Sequence, residues 1–427
     1  MNDHSASLFA SRLRSGFLGI CAAFGLAGAA FAGPQETEAG LGETIGEAML
    51  SEGTGTQEGL SAWLPAFKDR ALAAGVSSAT LDALNGAEYL PKVVHNDRHQ
   101  NEFTKTIWDY LDKAVSDDRI ANGRKALKTH GDTLSRIEAT YGVDAEIVAA
   151  IWGLESAYGV VRGDLPTLHA LATLAYDGRR GAFFEGELIA ALKILQSGEV
   201  TAQSLRGSWA GAMGHTQFMP SSWHAFAVDF TGDGRRDIWG DDPTDALAST
   251  AAYLAGKGWA KGAPWGVEII LPAGFDYDLT TERVKKPVAE WQALGVRLPG
   301  GGDVPDHGLG SVLLPGGHKG AAFLIFQNFH VIETYNTADA YVIAVGHLAD
   351  RLRGAGPIMA DWPRDERALS FDERISLQRK LTASGFDTGG VDAKMGPKTV
   401  AAVKAFQKAR GMVPDGFPSL SVLQALQ

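Results

Sequence analysis

Cysteine is nearly missing: 427 residues contain one, Cys21. No intrachain disulfide is available, so packing alone must hold the fold. A basic excess is missing too. With 39 Lys and Arg against 50 Asp and Glu, the formal charge is -11, which excludes the basic face of a nucleic-acid binder and disfavours an anionic membrane as main partner. Beyond residue 32 no apolar run is long enough to cross a bilayer. The G-x-x-x-x-G-K-[ST] order of a phosphate loop, the G-x-S-x-G elbow and the H-E-x-x-H pattern are all absent, which removes three common chemistries. His95 and His99 stand four apart but lack the intervening Glu, and read as surface histidines.

The N-terminus carries an export address. Arg12 and Arg14 precede an apolar stretch, Ser15 to Ala27, and Ala30-Phe31-Ala32 is an A-x-A cleavage signal. Residues 1–32 are therefore expected to be removed, taking Cys21 with them, and the protein to be periplasmic without a membrane-spanning segment. Ile20 before Cys21, and an apolar stretch that continues past it, argue against lipidation.

Residues 33–59, rich in Gly, Glu and Thr, read as a flexible lead-in. Residues 60–353 form the main unit. Its apolar spacing is helical, except for short β-prone runs between Val267 and Leu314, so the expected class is mostly α with a small β insertion. Gly354 to Ala368 reads as a linker, and 369–427 as a second unit with three helical stretches, close to the lower size for independent folding.

Ile151-Trp-Gly-Leu-Glu155-Ser-Ala-Tyr-Gly159 places a carboxyl group in the apolar stripe of a predicted helix. Asp144 is the expected N-cap and Gly159 the expected stop. Val148, Ile151, Glu155 and Tyr158 share one side, while Glu146 lies opposite. Burial disfavours the ionised form, and a protonated carboxyl group suits the protonation of a leaving group. The competing reading is a structural glutamate paired with an arginine. No second acid has an equally apolar setting, although Glu185 and Glu187 lie on a neighbouring predicted helix.

Asp229-Phe-Thr231-Gly-Asp233-Gly234-Arg235-Arg-Asp237 reads as the first part of an EF-hand-type calcium loop. Oxygen ligands stand at positions 1, 3, 5 and 9, the Arg235 carbonyl at 7, and glycine at the bend. Position 12, normally Glu, is Gly240.

Gly153-Leu-Glu155-Ser-Ala-Tyr-Gly159, then Ala210-Gly-Ala-Met-Gly-His-Thr-Gln-Phe-Met-Pro-Ser-Ser222, then Thr334-Tyr335-Asn336 resemble, in that order, the motifs of the lytic murein transglycosylase B family. The likeness runs from about Leu60 to Leu352. Leu377-Gln378, Gly390-Val391-Asp392, Gly396-Pro-Lys-Thr399, Phe406-Gln407 and Asp415-Gly416 resemble a three-helix peptidoglycan-binding module. The resemblance implies a lysozyme-like fold and cleavage of the MurNAc–GlcNAc bond of peptidoglycan glycan strands. Glu155 would act first as acid, then as base toward the muramic acid 6-hydroxyl, closing a 1,6-anhydro ring without a cofactor. It also implies substrate roles for Ser208, Gln217, Phe218 as a stacking wall, Tyr253, Tyr335 and Asn336. Arg179 and Arg180 would meet the peptide stem or muramyl lactate, and Asp245 would close the calcium loop, with Asp241 or Asp242 as substitutes. Two alternatives stand beside this: a hydrolase of the same bond, and a non-catalytic wall-binding scaffold.

Overall fold

The computed structural model describes residues 55–98 and 105–427. The export signal, most of the predicted lead-in and His99 lie outside the described residues. The last residues of the predicted lead-in are already helical. Thr56 caps a helix at Gln57–Ala73, its hydroxyl accepting from the Gly59 amide at 3.0 Å.

The main unit is helical, as the apolar spacing predicts. Around Ala145–Ser156 pack the helices Asp117–Thr129, Gly131–Tyr141, Thr244–Gly256 and Asp339–Arg353. Every residue from Ile147 to Ser156 is buried. The central helix is therefore apolar on all sides, and a one-sided stripe understates it. Beside this core, Thr167–Asp177 and Gly181–Ser197 pair through Leu171, Leu174, Leu188 and Leu192. A two-residue ladder, β1 (Leu165–Pro166) with β2 (Arg206–Gly207), ties the segment after the central helix to the glycine-rich loop.

The β insertion is a four-stranded antiparallel sheet in the order β3 (Gly266–Ile269), β6 (Ala322–Ile325), β5 (Leu309–Leu313), β4 (Lys286–Pro287). Strand β6 is buried on both faces, which explains its unbroken apolar run. Phe323 and Ile325 join the main helical core. Ala322 and Leu324 face a smaller one built on Trp291, Phe275, Val312 and Val296. The short helix Gln327–Glu333 then leads to Tyr335 and the helix at Asp339.

The C-terminal unit packs the helices Phe371–Ala383, Pro397–Ala409 and Leu420–Ala425 around Leu377, Leu381, Val403, Phe406 and Val422. Its two motif glutamines are buried ties. Gln378 donates to Asp392 and accepts from the amides of Asp392 and Ala393. Gln407 donates to Asp415 and accepts from the Gly416 amide. The unit rests on the β insertion. Lys404 donates to the Tyr277 carbonyl and Thr280, and Asp415 accepts from the His318 amide and ring. The segment between the units is also held, with Glu268 accepting the amides of Met359 and Ala360.

Candidate active site

Glu155 lies one residue before the end of the central helix. The helix stops at Ser156, three residues ahead of the expected Gly159, because Ala157 and Tyr158 both adopt left-handed backbone at φ +50° and +59°. Their amides return to the carbonyls of Gly153 and Trp152, closing the C-terminus. The Tyr158 hydroxyl donates to the Arg119 carbonyl and braces this strained turn. Asp144 occupies the N-cap position but caps nothing. Its carboxylate accepts from Trp259 Nε1 and pairs with Arg353, so a tertiary contact outcompetes the local one. Glu146 points outward to the same arginine.

Glu155 is 8% exposed, and Tyr341 Oη donates to its Oε1 at 2.6 Å. Burial, then the Glu155 charge, holds the Tyr341 phenol well above its ordinary range, and the same two causes act on Tyr335. A phenol that stays protonated is a fixed donor beside the carboxyl group. Nothing in the sequence singled out Tyr341. It lies 186 positions from Glu155, and only the packing of its helix on the central one joins them.

The glycine-rich loop lies against this helix end. Two of its glycines have no room for a side chain: a Cβ on Gly207 would strike the Ala212 carbonyl, and one on Gly214 the Ile238 carbonyl. His215, given no role from the sequence, holds the loop in place. Trp152 Nε1 donates to its Nδ1 at 3.1 Å, and its Nε2 meets the Gly240 carbonyl at 2.8 Å. Those two contacts fix the proton on Nε2. Ser156 Oγ donates to the His215 carbonyl, a second tie.

Gln217 sits at φ +55°, 1% exposed, with Nε2 donating to the carbonyls of Arg162 and Gly214. Its Oε1 is buried without a partner. Held so against backbone strain, it is an acceptor awaiting a donor. Ser208 Oγ accepts from the Ala212 amide. Phe218, 2% exposed, packs against Tyr253 and Tyr335, which also meet each other at 5.0 Å between ring centres. Its position is that of a packed floor, which leaves no open face for a sugar ring. Tyr335 Oη donates to the Thr216 carbonyl, Tyr253 Oη to that of Thr334, and Asn336 Oδ1 accepts from the Ala338 amide. The three motifs thus meet at one place. Arg179 and Arg180 instead converge on the buried carboxylate of Asp97. Asp97 offsets one of the two positive charges that the resemblance assigns to the substrate, and holds both guanidinium groups.

In the EF-hand-like loop, oxygens of Asp229, Asp233 and Asp245 lie within 4.8 Å of one another. Asp229 accepts the amides of Gly232, Asp233 and Gly234, and Asp245 those of Phe230, Thr231 and Asp237. The bend is at Gly234, φ +88°. Asp242 is occupied as a cap for Thr244, and Asp241 faces Arg162. Asp237 turns to the amides of Trp239 and Gly240.

The transglycosylase SLT domain family matches residues 59–350. The chain belongs to that family. A peptidoglycan binding domain matches residues 372–426. Among solved structures the chain is similar to SltB3 from Pseudomonas aeruginosa in complex with NAG-anhNAM-pentapeptide. The identity is 48% and the TM-score 0.84, over 86% of this chain and 99% of that one. Similarity extends to Escherichia coli lytic transglycosylase Slt35 in complex with calcium, at 32% identity and TM-score 0.59, over 68% and 92% of the two chains. It also resembles the membrane-bound lytic murein transglycosylase B of Escherichia coli strain K12, 36% identical over 257 residues, or 56% of this chain. The match spans 65% of that relative's own length. Among the described residues of this SLT-family chain, no helix is long and apolar enough to cross a membrane.

Proposed function

We propose that the chain is a peptidoglycan lytic transglycosylase in which Glu155 performs both proton transfers. Protonated Glu155 gives its hydrogen to the oxygen between N-acetylmuramic acid and N-acetylglucosamine as the bond from C1 breaks. The resulting carboxylate then removes the proton of the muramic acid 6-hydroxyl while O6 bonds to C1. No water is consumed, and the acid is regenerated. The observation that carries this is one buried carboxyl group held by a phenol where three separated motifs meet. Glu187, the obvious second acid, is tied on both oxygens to Ser221, which favours help from the substrate's own N-acetyl group over a two-carboxylate scheme. The orphaned Oε1 of Gln217 suits an amide or hydroxyl donor of the sugar, and the anhydro sugar named in the SltB3 complex supports the ring-closing outcome.

Mass spectrometry of products from purified sacculi is the test. Fragments one water lighter than hydrolysis products are expected. Hydrated ends would identify a hydrolase, and intact sacculi a scaffold.

The loop around Asp229, Asp233 and Asp245 fits a calcium ion, and the EF-hand order offers Thr231, the Arg235 carbonyl and the second oxygen of Asp237 as further ligands. Its backbone is already bent around the carboxylates, and the ion would brace a loop that reaches the central helix through Gly240, His215 and Trp152. Calcium is expected to raise the melting temperature of chelator-treated protein, and an unchanged melting curve would remove the ion from the account. The A-x-A signal at Ala30 to Ala32 supports export to the periplasm, and the C-terminal module would keep the enzyme near its polymer.

A further inference from the structure

A second group of ligand-type side chains stands apart from both sites. His330 and Glu333 occupy one face of the helix Gln327–Glu333, three residues apart. Glu282 reaches them from the loop before β4, where its own carbonyl accepts from the buried Ser311 hydroxyl. His330 Nδ1 is 3.1 Å from Glu333 Oε2 and 3.9 Å from Glu282 Oε2. One ligand atom from each of the three lies within 4.8 Å of the others. Ligands of a tetrahedral ion at about 2.0–2.1 Å stand roughly 3.3 Å apart, so these separations bracket the required spacing. Asp339 adjoins the trio.

We propose that His330, Glu333 and Glu282 form a binding site for a divalent transition-metal cation of the zinc class. One imidazole with two carboxylates suits such an ion, whereas calcium takes oxygen ligands only. The ion takes the place of the direct His330 Nδ1–Glu333 contact, with the imidazole neutral and its hydrogen on Nε2. The site staples the β insertion to the helix that runs directly into Thr334 and Tyr335, residues whose oxygens already anchor Tyr253 and reach Thr216. Metal here would stiffen one wall of the candidate active site without touching the bond being broken.

The test uses the full chain, freed of metal and then saturated with calcium so that the Asp229 loop is out of play. Zinc chloride is titrated by calorimetry, and cobalt chloride by visible absorption, which reports an imidazole–carboxylate environment directly. The expected result is one saturable equivalent and a melting temperature that rises with zinc concentration. His330→Gln and Glu282→Gln should each lose the equivalent and the cobalt bands. Asp233→Asn and His95→Gln should retain both. Absence of saturable binding overturns the proposal. So does binding that survives both of the first two substitutions, or binding lost with His95→Gln.

Discussion

Glu155 and Glu187 are both buried, both helical, and both surrounded by apolar side chains, yet they do different things. Glu187 offers each oxygen to the start of the helix Pro220–Phe226, accepting from the Ser221 amide at 2.9 Å and the Ser221 hydroxyl at 2.6 Å. That helix has no capping side chain of its own, so Glu187 supplies the missing cap from another element. Burial raises its carboxyl group, and the two Ser221 bonds pull the other way. Glu155 lies at the other kind of helix end, the carbonyl end, where the helix presents carbonyls to its surroundings. Its donor is the Tyr341 phenol. A buried glutamate is structural when helix amides claim its oxygens. The proposed function gives the proton transfers to the glutamate that a phenol holds at a helix's carbonyl end.

Substitutions can break that contrast. Glu155→Gln has the largest expected effect: turnover of sacculi falls by about 10³-fold or more while binding and melting temperature persist. A variant with appreciable activity would move the chemistry elsewhere. Glu187→Ala is expected to do the reverse, lowering stability by about 2 kcal/mol through the lost cap while specific activity of the folded enzyme stays within about twofold. Denaturant melts combined with kinetics separate the two, and an activity loss matching that of Glu155→Gln would make Glu187 a second catalytic acid. Tyr341→Phe comes next, with kcat reduced about tenfold, equivalent to about 1.4 kcal/mol, and little change in binding.

The smallest effect carries the same argument to a cation. Burial, helped by Arg351, lowers His347 from 6.5 to about 4. The folded chain therefore keeps it neutral where the unfolded chain protonates it. Stability falls as pH drops from 6.5 toward 4, by less than about 1 kcal/mol at pH 6, and His347→Gln should flatten the melting curve across that window. An unchanged slope would show that other groups dominate the acid response.

Much of this was legible in the order of residues. The helical spacing around Val148, Ile151 and Glu155 marks the central helix, and short β-prone runs mark the insertion. The bend at Gly234 and the cluster of aspartates mark the loop. What was illegible has one cause. Asp144 looks like a cap and instead meets Trp259; Arg179 and Arg180 look free and instead meet Asp97; Phe218 looks like a stacking wall and instead packs inside. In each case a partner far along the chain outcompetes the local role.

The sequence by itself determined the helical class, the three motifs and the buried setting of Glu155, because periodicity and local backbone preferences act over a few residues. Only the tertiary structure decided which donor reaches that carboxyl group, which acid becomes a cap, and that His330, Glu333 and Glu282 meet. Those pairings join residues tens to hundreds of positions apart, and contact at that range exists only once the core has packed.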